Sequence, residues 1–285
     1  AVVLLFTRGL NFGIDFEGGI LVEISTEGPA DIGQIRSDLG GLGLGEVQIQ
    51  QFGQPDDVLI RVQSPKGEDA DKASQAVVSQ IKSVLGDSVE YRRVEVVGPQ
   101  VSGELVQDGV LAIVVSVALM LIYIWFRFEW QFSLGSVVAL VHDVMATLAL
   151  FSLLGMEFNL QSIAALLTIV GYSMNDTVIV FDRVRENLRK YKKMDLAELV
   201  DLSVNQTLSR TVMTSGTTLL ALLALFIFGG EVIRGFTFAM IFGIFIGTYS
   251  SIFIAGPVLL AVGVTRDTTT GGLGGVAKEK ASGKA

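Results

Sequence analysis

Residues 160–187 read LQSIAALLTIVGYSMNDTVIVFDRVREN, and the fold turns on how this stretch is understood. The run LQSIAALLTIV suits the middle of a lipid bilayer, and the far end, FDRVREN, is charged. Asn175 and Asp176 stand between the two, where a membrane-crossing helix gains nothing from polarity. A segment of this kind is a span with a functional or assembling polar site inside it, and the rest of the chain repeats the pattern.

Half of the 285 residues are hydrophobic and mean hydropathy is +0.56, which points to several spans rather than one large soluble core. Apolar stretches at residues 109–126, 132–154, 158–181, 211–228 and 236–262 each approach the roughly 20 residues that a bilayer core requires. Ala1 to Phe6 is apolar but too short; it reads as the end of a first span, giving six spans in the intact chain. A signal peptide fits poorly, since no charged region precedes it and no small-residue cleavage site follows. The sequence contains no cysteine, so disulfides and thiol chemistry are excluded.

Charge is distributed unevenly. Residues 15–108 carry 17 acidic and 7 basic side chains, a net of −10 within a total of −8, so the remainder is slightly basic. No basic face for a nucleic acid is present. Arg183, Arg185, Arg189, Lys190, Lys192 and Lys193 follow the third complete span, whereas MEFNL before it has no Lys or Arg. The positive-inside rule makes the basic segment, read as a loop over residues 183–209, cytoplasmic. Alternation then puts Arg127, the Arg210 end of the next span and the C-terminal tail inside. Glu231, Arg234 and the acidic segment fall outside, in a bacterium the periplasm.

The acidic segment has its own periodicity. GILVEIS, EVQIQQF, DVLIRVQ and VEYRRVEVV read as strands, and DIGQIRSDL and ADKASQAVVSQIKSVLG as helices, the latter amphipathic and ended by Gly86. The order β-α-β-β-α-β is that of a ferredoxin-like α+β unit. The expected organisation is an α-helical polytopic membrane protein bearing a periplasmic ferredoxin-like domain: residues 1–12 end a first transmembrane helix and 13–104 form the periplasmic domain. Residues 105–264 form five transmembrane helices, and 265–285, rich in Gly, Thr and Lys, a disordered cytoplasmic tail. Nothing in the α+β segment suggests catalysis; it either touches a translocating chain or partner, or steadies the membrane part.

Within the spans, a carboxylate costs about 2.5–3.5 kcal/mol and usually faces a cavity or a partner. Asp176 lies roughly 7.5 Å inside the Phe181 end of its span. Arg210 stands at the start of the following, antiparallel span among Thr207, Ser209 and Thr211, so an ion pair between the two is sterically allowed; alternatively Arg210 is a snorkelling helix-end anchor. Asp143 and its neighbour His142, the one histidine, sit nearer the midplane, roughly 16 Å from the inner end, as a proton-carrying pair or as interhelical hydrogen-bonding groups. Asp182 and Arg183 sit at the membrane edge, where a charge pair is structural. Gly243 and Gly247 form a small-xxx-small face for helix packing or a mobile interface, and Ser215, Gly216, Thr217 and Thr218 read likewise. No metal-ligand spacing, phosphate loop or nucleophile elbow occurs, which excludes the familiar hydrolytic and nucleotide-dependent enzymes.

GIDFEGG at residues 13–19, GYSMNDTVIVFDRVREN, QTLSRTVMTSGTT at 206–218, FGG at 228–230 and the stretch 243–251 keep the order and spacing of blocks found in one family. The chain resembles, from about Leu10 to Val262, the SecF branch of the SecD/SecF family of bacterial protein-export membrane proteins, within the resistance-nodulation-division superfamily. The resemblance implies a non-enzymatic accessory subunit without cofactors that uses protons as coupling ion. It implies residence in the bacterial inner membrane and a stable complex with SecD beside the SecYEG channel and the SecA motor. The translocating preprotein, YajC and YidC are further partners. It places the family's functional carboxylate on Asp176 and its functional arginine on Arg210, with another carboxylate supplied by SecD, and so favours Asp176 over Asp143. A proton-coupled exporter of small hydrophobic molecules would share the buried acid, but a domain of roughly 90 residues offers little room for the 300–1,000 Å³ pocket such cargo needs. A passive scaffold, with the polar residues as helix glue, is the remaining alternative.

Overall fold

The computed structural model describes residues 1–44, 47–51, 53–63 and 70–264, which divide into two compact units. The expected tail at 265–285 lies outside the described residues. The first unit comprises residues 11–112 and 157–160; the second holds residues 1–10, 113–156 and 161 onward.

In the first unit, strands β2 (Gly19–Thr26), β3 (Val47–Gln51), β4 (Asp57–Val62) and β5 (Val89–Val97) form one antiparallel sheet in the order β3-β4-β2-β5. Helices α3 (Ile32–Gly40) and α4 (Ala70–Leu85) fill the two crossovers. Alternation along β2 explains the packing. Ile20, Val22 and Ile24 face Ile35 and Leu39 of α3 and Ile81 and Leu85 of α4, while Leu21 points to the other face with Leu59 and Ile14. Asp31 caps α3 by accepting from the Gln34 amide at 3.0 Å. This is the split βαβ arrangement that the pattern predicts.

GIDFEGG builds a clasp at one side of that unit. After the short helix α1 (Val2–Arg8), strand β1 (Asn11–Phe12) pairs in parallel with β6 (Glu157–Phe158). One-turn helix α2 (Ile14–Glu17) then ends at Gly18, whose φ of 72° no residue with a Cβ adopts easily. Asp15 accepts from the Leu160 amide at 2.9 Å, and Arg61 pairs with Glu157 at 3.0 Å. Burial pushes the Glu157 carboxyl above its ordinary value, against the opposing pull of the Arg61 charge. The expected boundary at residue 12 therefore shifts: the first helix stops at Arg8, and Asn11 and Phe12 belong to the sheet-bearing unit.

The helical unit contains α5 (Pro99–Arg127), of which only the later part belongs to it, α6 (Trp130–Leu154), α7 (Leu160–Lys190), α8 (Leu196–Phe228), α9 (Arg234–Phe253) and α10 (Ala255–Val262). Among the described residues five helical segments are long and apolar enough to cross a bilayer, α9 and α10 counting as one. Helix α7 is the central one, with 56% of its apolar window buried against 11% for α5 and 17% for α8. Phe128, Phe132 and Phe181 pack edge-on or tilted at centroid distances of 5.3–6.2 Å and anchor the core at one end. The break between α9 and α10 falls at Ile254, three residues before Pro257, whose missing N–H cannot bond the Phe253 carbonyl. Residues 236–262, expected as one uninterrupted span, are thus kinked.

The largest departure concerns residues 183–209. They are not a loop: α7 continues to Lys190 and α8 begins at Leu196, so only residues 191–195 connect them. Arg183, Arg185 and Arg189 stand on helix rather than in an irregular segment. Hydropathy falls where a helix leaves the apolar layer, but the hydrogen-bonded ladder does not have to stop there.

Candidate functional site

The two extended helices carry the polar residues well inside their length. Asp176 lies 14 residues before the end of α7 and Arg210 lies 14 residues after the start of α8, each about 21 Å from its helix end. Neither is near a helix terminus, because both helices run on beyond their apolar runs. Asn187 Nδ2 on α7 donates to Ser203 Oγ at 2.8 Å and to Gln206 Oε1 at 3.0 Å on α8; higher up, Tyr172 OH donates to Ser215 Oγ at 3.3 Å. Asp176 falls between Tyr172 and Asn187 just as Arg210 falls between Ser215 and Ser203. The antiparallel register set by these bonds therefore brings Asp176 and Arg210 to one level.

Their side chains do not meet. Asp176 is 0% exposed, and neither of its carboxylate oxygens has a hydrogen-bond partner among the described residues. The Ser215 hydroxyl is the nearest donor, short of a well-formed hydrogen bond, and Arg210 acts on it as a charge, yet Arg210 is exposed on the surface of α8 and forms no ion pair with it. The buried hydroxyls of Thr177 and Thr211 also lack partners. Asn175, next to the buried acid, is exposed. A buried carboxylate without a well-formed hydrogen bond is held there at a cost.

Asp143 is as deeply buried, at 0% exposure, but is fully engaged. Its Oδ2 accepts from Ser173 Oγ on α7 and from Ser250 Oγ on α9, the latter at 2.7 Å, and its Oδ1 lies 3.0 Å from His142 Nδ1. Thr147 Oγ1 donates to the Asp143 carbonyl at 2.8 Å. Asp143 thus ties α6, α7 and α9 together. A neighbouring pair, Ser215 Oγ and Thr248 Oγ1 at 2.8 Å, joins α8 to α9. Sequence reasoning named neither Ser173, Ser250, Thr248 nor Tyr172 as partners, because single hydroxyls in apolar runs carry no spacing signal. Thr217 and Thr218 bond only to carbonyls of their own helix, and Gly216 faces open space.

Gly243 and Gly247 lie against α7. A Cβ at Gly243 would run into the Ile169 side chain, and one at Gly247 would come to 3.0 Å from the Ser173 Cβ. Gly247 thereby sits beneath the serine that bonds Asp143. Gly243→Ala overpacks this contact and is expected to lower the stability of the solubilised protein by about 1–3 kcal/mol, read by thermal or denaturant melting; an unchanged melt would show that Ile169 simply moves aside.

At the Phe128 end, Arg127 Nη2 contacts both oxygens of Asp182 at 2.7 and 2.8 Å, and Arg183 pairs with Glu186 at 3.0 Å. Glu129, in the connector between α5 and α6, lies 3.4 Å from Arg185; burial raises its pKa, while Arg185 and Arg189 oppose the rise. Asp182 and Arg183 therefore belong to separate pairs rather than to one. Among the described residues no group of three or more His, Asp or Glu gathers as a metal site would require.

Comparison with known proteins agrees with this architecture. Residues 77–265 match the family model described as protein export membrane protein SecD/SecF, C-terminal, and residues 3–30 match the SecD/SecF GG motif, which contains the clasp. A protein translocase subunit SecF of Rickettsia bellii is 50% identical over 249 residues, covering 87% of this chain and 82% of the relative. That of Vibrio alginolyticus is 45% identical over 267 residues, covering 94% and 85%. The crystal structure of SecDF, a translocon-associated membrane protein from Thermus thermophilus, superposes with a TM-score of 0.81 at 39% identity over 91% of this chain. A SecDF structure in a super-membrane-facing form gives 0.62 at 37% identity over 99%. The chain spans only 35% and 37% of the length of those two SecDF chains.

Proposed function

The chain belongs to the SecD/SecF family of protein-export membrane proteins, and on that premise we propose that it is the SecF subunit of a SecDF complex that assists Sec-dependent export across the bacterial cytoplasmic membrane at the expense of the proton-motive force. The observation that supports the coupling role is the contrast between the two buried acids: Asp143 is hydrogen-bonded by Ser173, Ser250 and His142, whereas among the described residues no group makes a well-formed hydrogen bond to Asp176. Protonation of Asp176 would remove a bare charge from an apolar interior and weaken its attraction to Arg210, freeing α7 to shift against α8. In this reading Arg210, exposed on α8, meets a carboxylate supplied by the SecD half.

In this reading SecD is the stable partner, SecYEG, SecA and the preprotein are encountered during export, and YajC and YidC are associated subunits. The α+β unit is periplasmic and the basic ends of α7 and α8 are cytoplasmic, following the positive-inside rule. The chain is a coupling subunit with no chemistry of its own, and protons are its only coupling species. Preprotein translocation into vesicles containing this chain and its SecD partner tests the proposal. Dissipating the proton gradient with an ionophore should remove a late, SecDF-dependent fraction of transport. Equal transport with and without the gradient would refute coupling.

A further inference from the structure

The cluster of charges at the Phe128 end of the helical unit surrounds a cleft of about 580 Å³, lined by Arg127, Asp182, Arg185, Glu186, Arg189 and Lys190. We propose that this cleft seats the phosphate headgroup of an anionic phospholipid. The lining carries two more cations than carboxylates, enough to accept one phosphodiester with charge to spare. Its wall is preformed: Arg127 is fixed by both oxygens of Asp182, and Arg185 by Glu129 and the Arg127 carbonyl at 3.2 Å. Glu186 is occupied by Arg183, so the lining carboxylates face cations already held beside them.

The setting selects a lipid over a soluble anion. Trp125, Phe126 and Trp130, which bracket Arg127 at the end of α5 and the start of α6, are 77%, 79% and 61% exposed. Large aromatics left bare beside a basic cleft, where spans emerge from the apolar layer, match the aromatic belt at the level of lipid headgroups. A free phosphate would use the cations and leave these rings unexplained; a phospholipid uses both, its acyl chains lying along the apolar exterior of α5. Basic pockets at the ends of membrane helices recognise acidic lipids by this combination.

Native mass spectrometry of the full-length protein in detergent, titrated with phosphatidylglycerol and with phosphatidylcholine, tests the site. One phosphatidylglycerol should bind in clear preference to phosphatidylcholine. Each cation contributes about fivefold, so R189Q with K190Q should weaken phosphatidylglycerol about 25-fold with the melting temperature unchanged. K192Q with K193Q makes the same change of charge in the connector and should leave the preference intact. No preference in the unmodified protein, or equal loss in both double variants, would overturn the proposal. So would displacement of the lipid by millimolar inorganic phosphate, which would make the cleft a free-anion site.

Discussion

Asp176→Asn is expected to abolish the gradient-dependent part of preprotein translocation while the complex assembles and melts as well as the unmodified protein, or better. The substitution keeps shape and volume and removes the ability to ionise. Among the described residues the carboxylate has no well-formed hydrogen bond to lose, and a charge inside a span costs up to about 2.5–3.5 kcal/mol, so neutralising it relieves the resting structure rather than damaging it. A residue kept for stability would behave in the opposite way, with poorer assembly and an unchanged response to the gradient per assembled complex. The informative quantity is therefore the ratio of translocation with and without the gradient, normalised to assembled protein. A ratio equal to that of the unmodified complex would remove Asp176 from the coupling path.

How far this could be foreseen varied with the kind of signal. The four long strands and two helices of the α+β unit were legible, because strand alternation in GILVEIS and DVLIRVQ and the amphipathic period of α4 are local patterns that burial then enforces, whereas the clasp of β1, α2 and β6 was not. The five spans were legible in number, but helix ends were not. Residues 183–190 and 196–209 are too polar for a bilayer and remain helical, since α7 and α8 pair through Asn187, Ser203 and Gln206. The extensions put Asp176 and Arg210 well inside their helices, while their distances from the ends of the apolar runs stay as read from the sequence. Asp176 itself stood out as an acid in an apolar run, as did Asp143. What separates the two, the presence or absence of hydroxyls from other helices, is a long-range property that no spacing encodes.

Asp143→Ala is expected to fail in the manner that Asp176→Asn does not, by loss of stability. It removes the acceptor shared by Ser173 and Ser250 and the contact with His142, and it leaves a cavity where α6, α7 and α9 meet. Interhelical hydrogen bonds in membranes average about 0.6 and reach about 1.7 kcal/mol, so their loss together with the cavity should cost on the order of 3 kcal/mol, visible as a lower melting temperature and reduced accumulation of the complex. Asp143→Asn is the decisive companion. Its amide oxygen can still accept from both serines, and its amide group can donate to His142 Nδ1 in the neutral ring, so most of the stability should return along with gradient-dependent transport. If Asp143→Asn instead assembled fully and lost its response to the gradient, ionisation of Asp143 would be required for coupling, and the hydrogen-bonded cluster of His142, Ser173 and Ser250 would have to be read as part of the proton path rather than as the tie that holds three helices in register around Asp176.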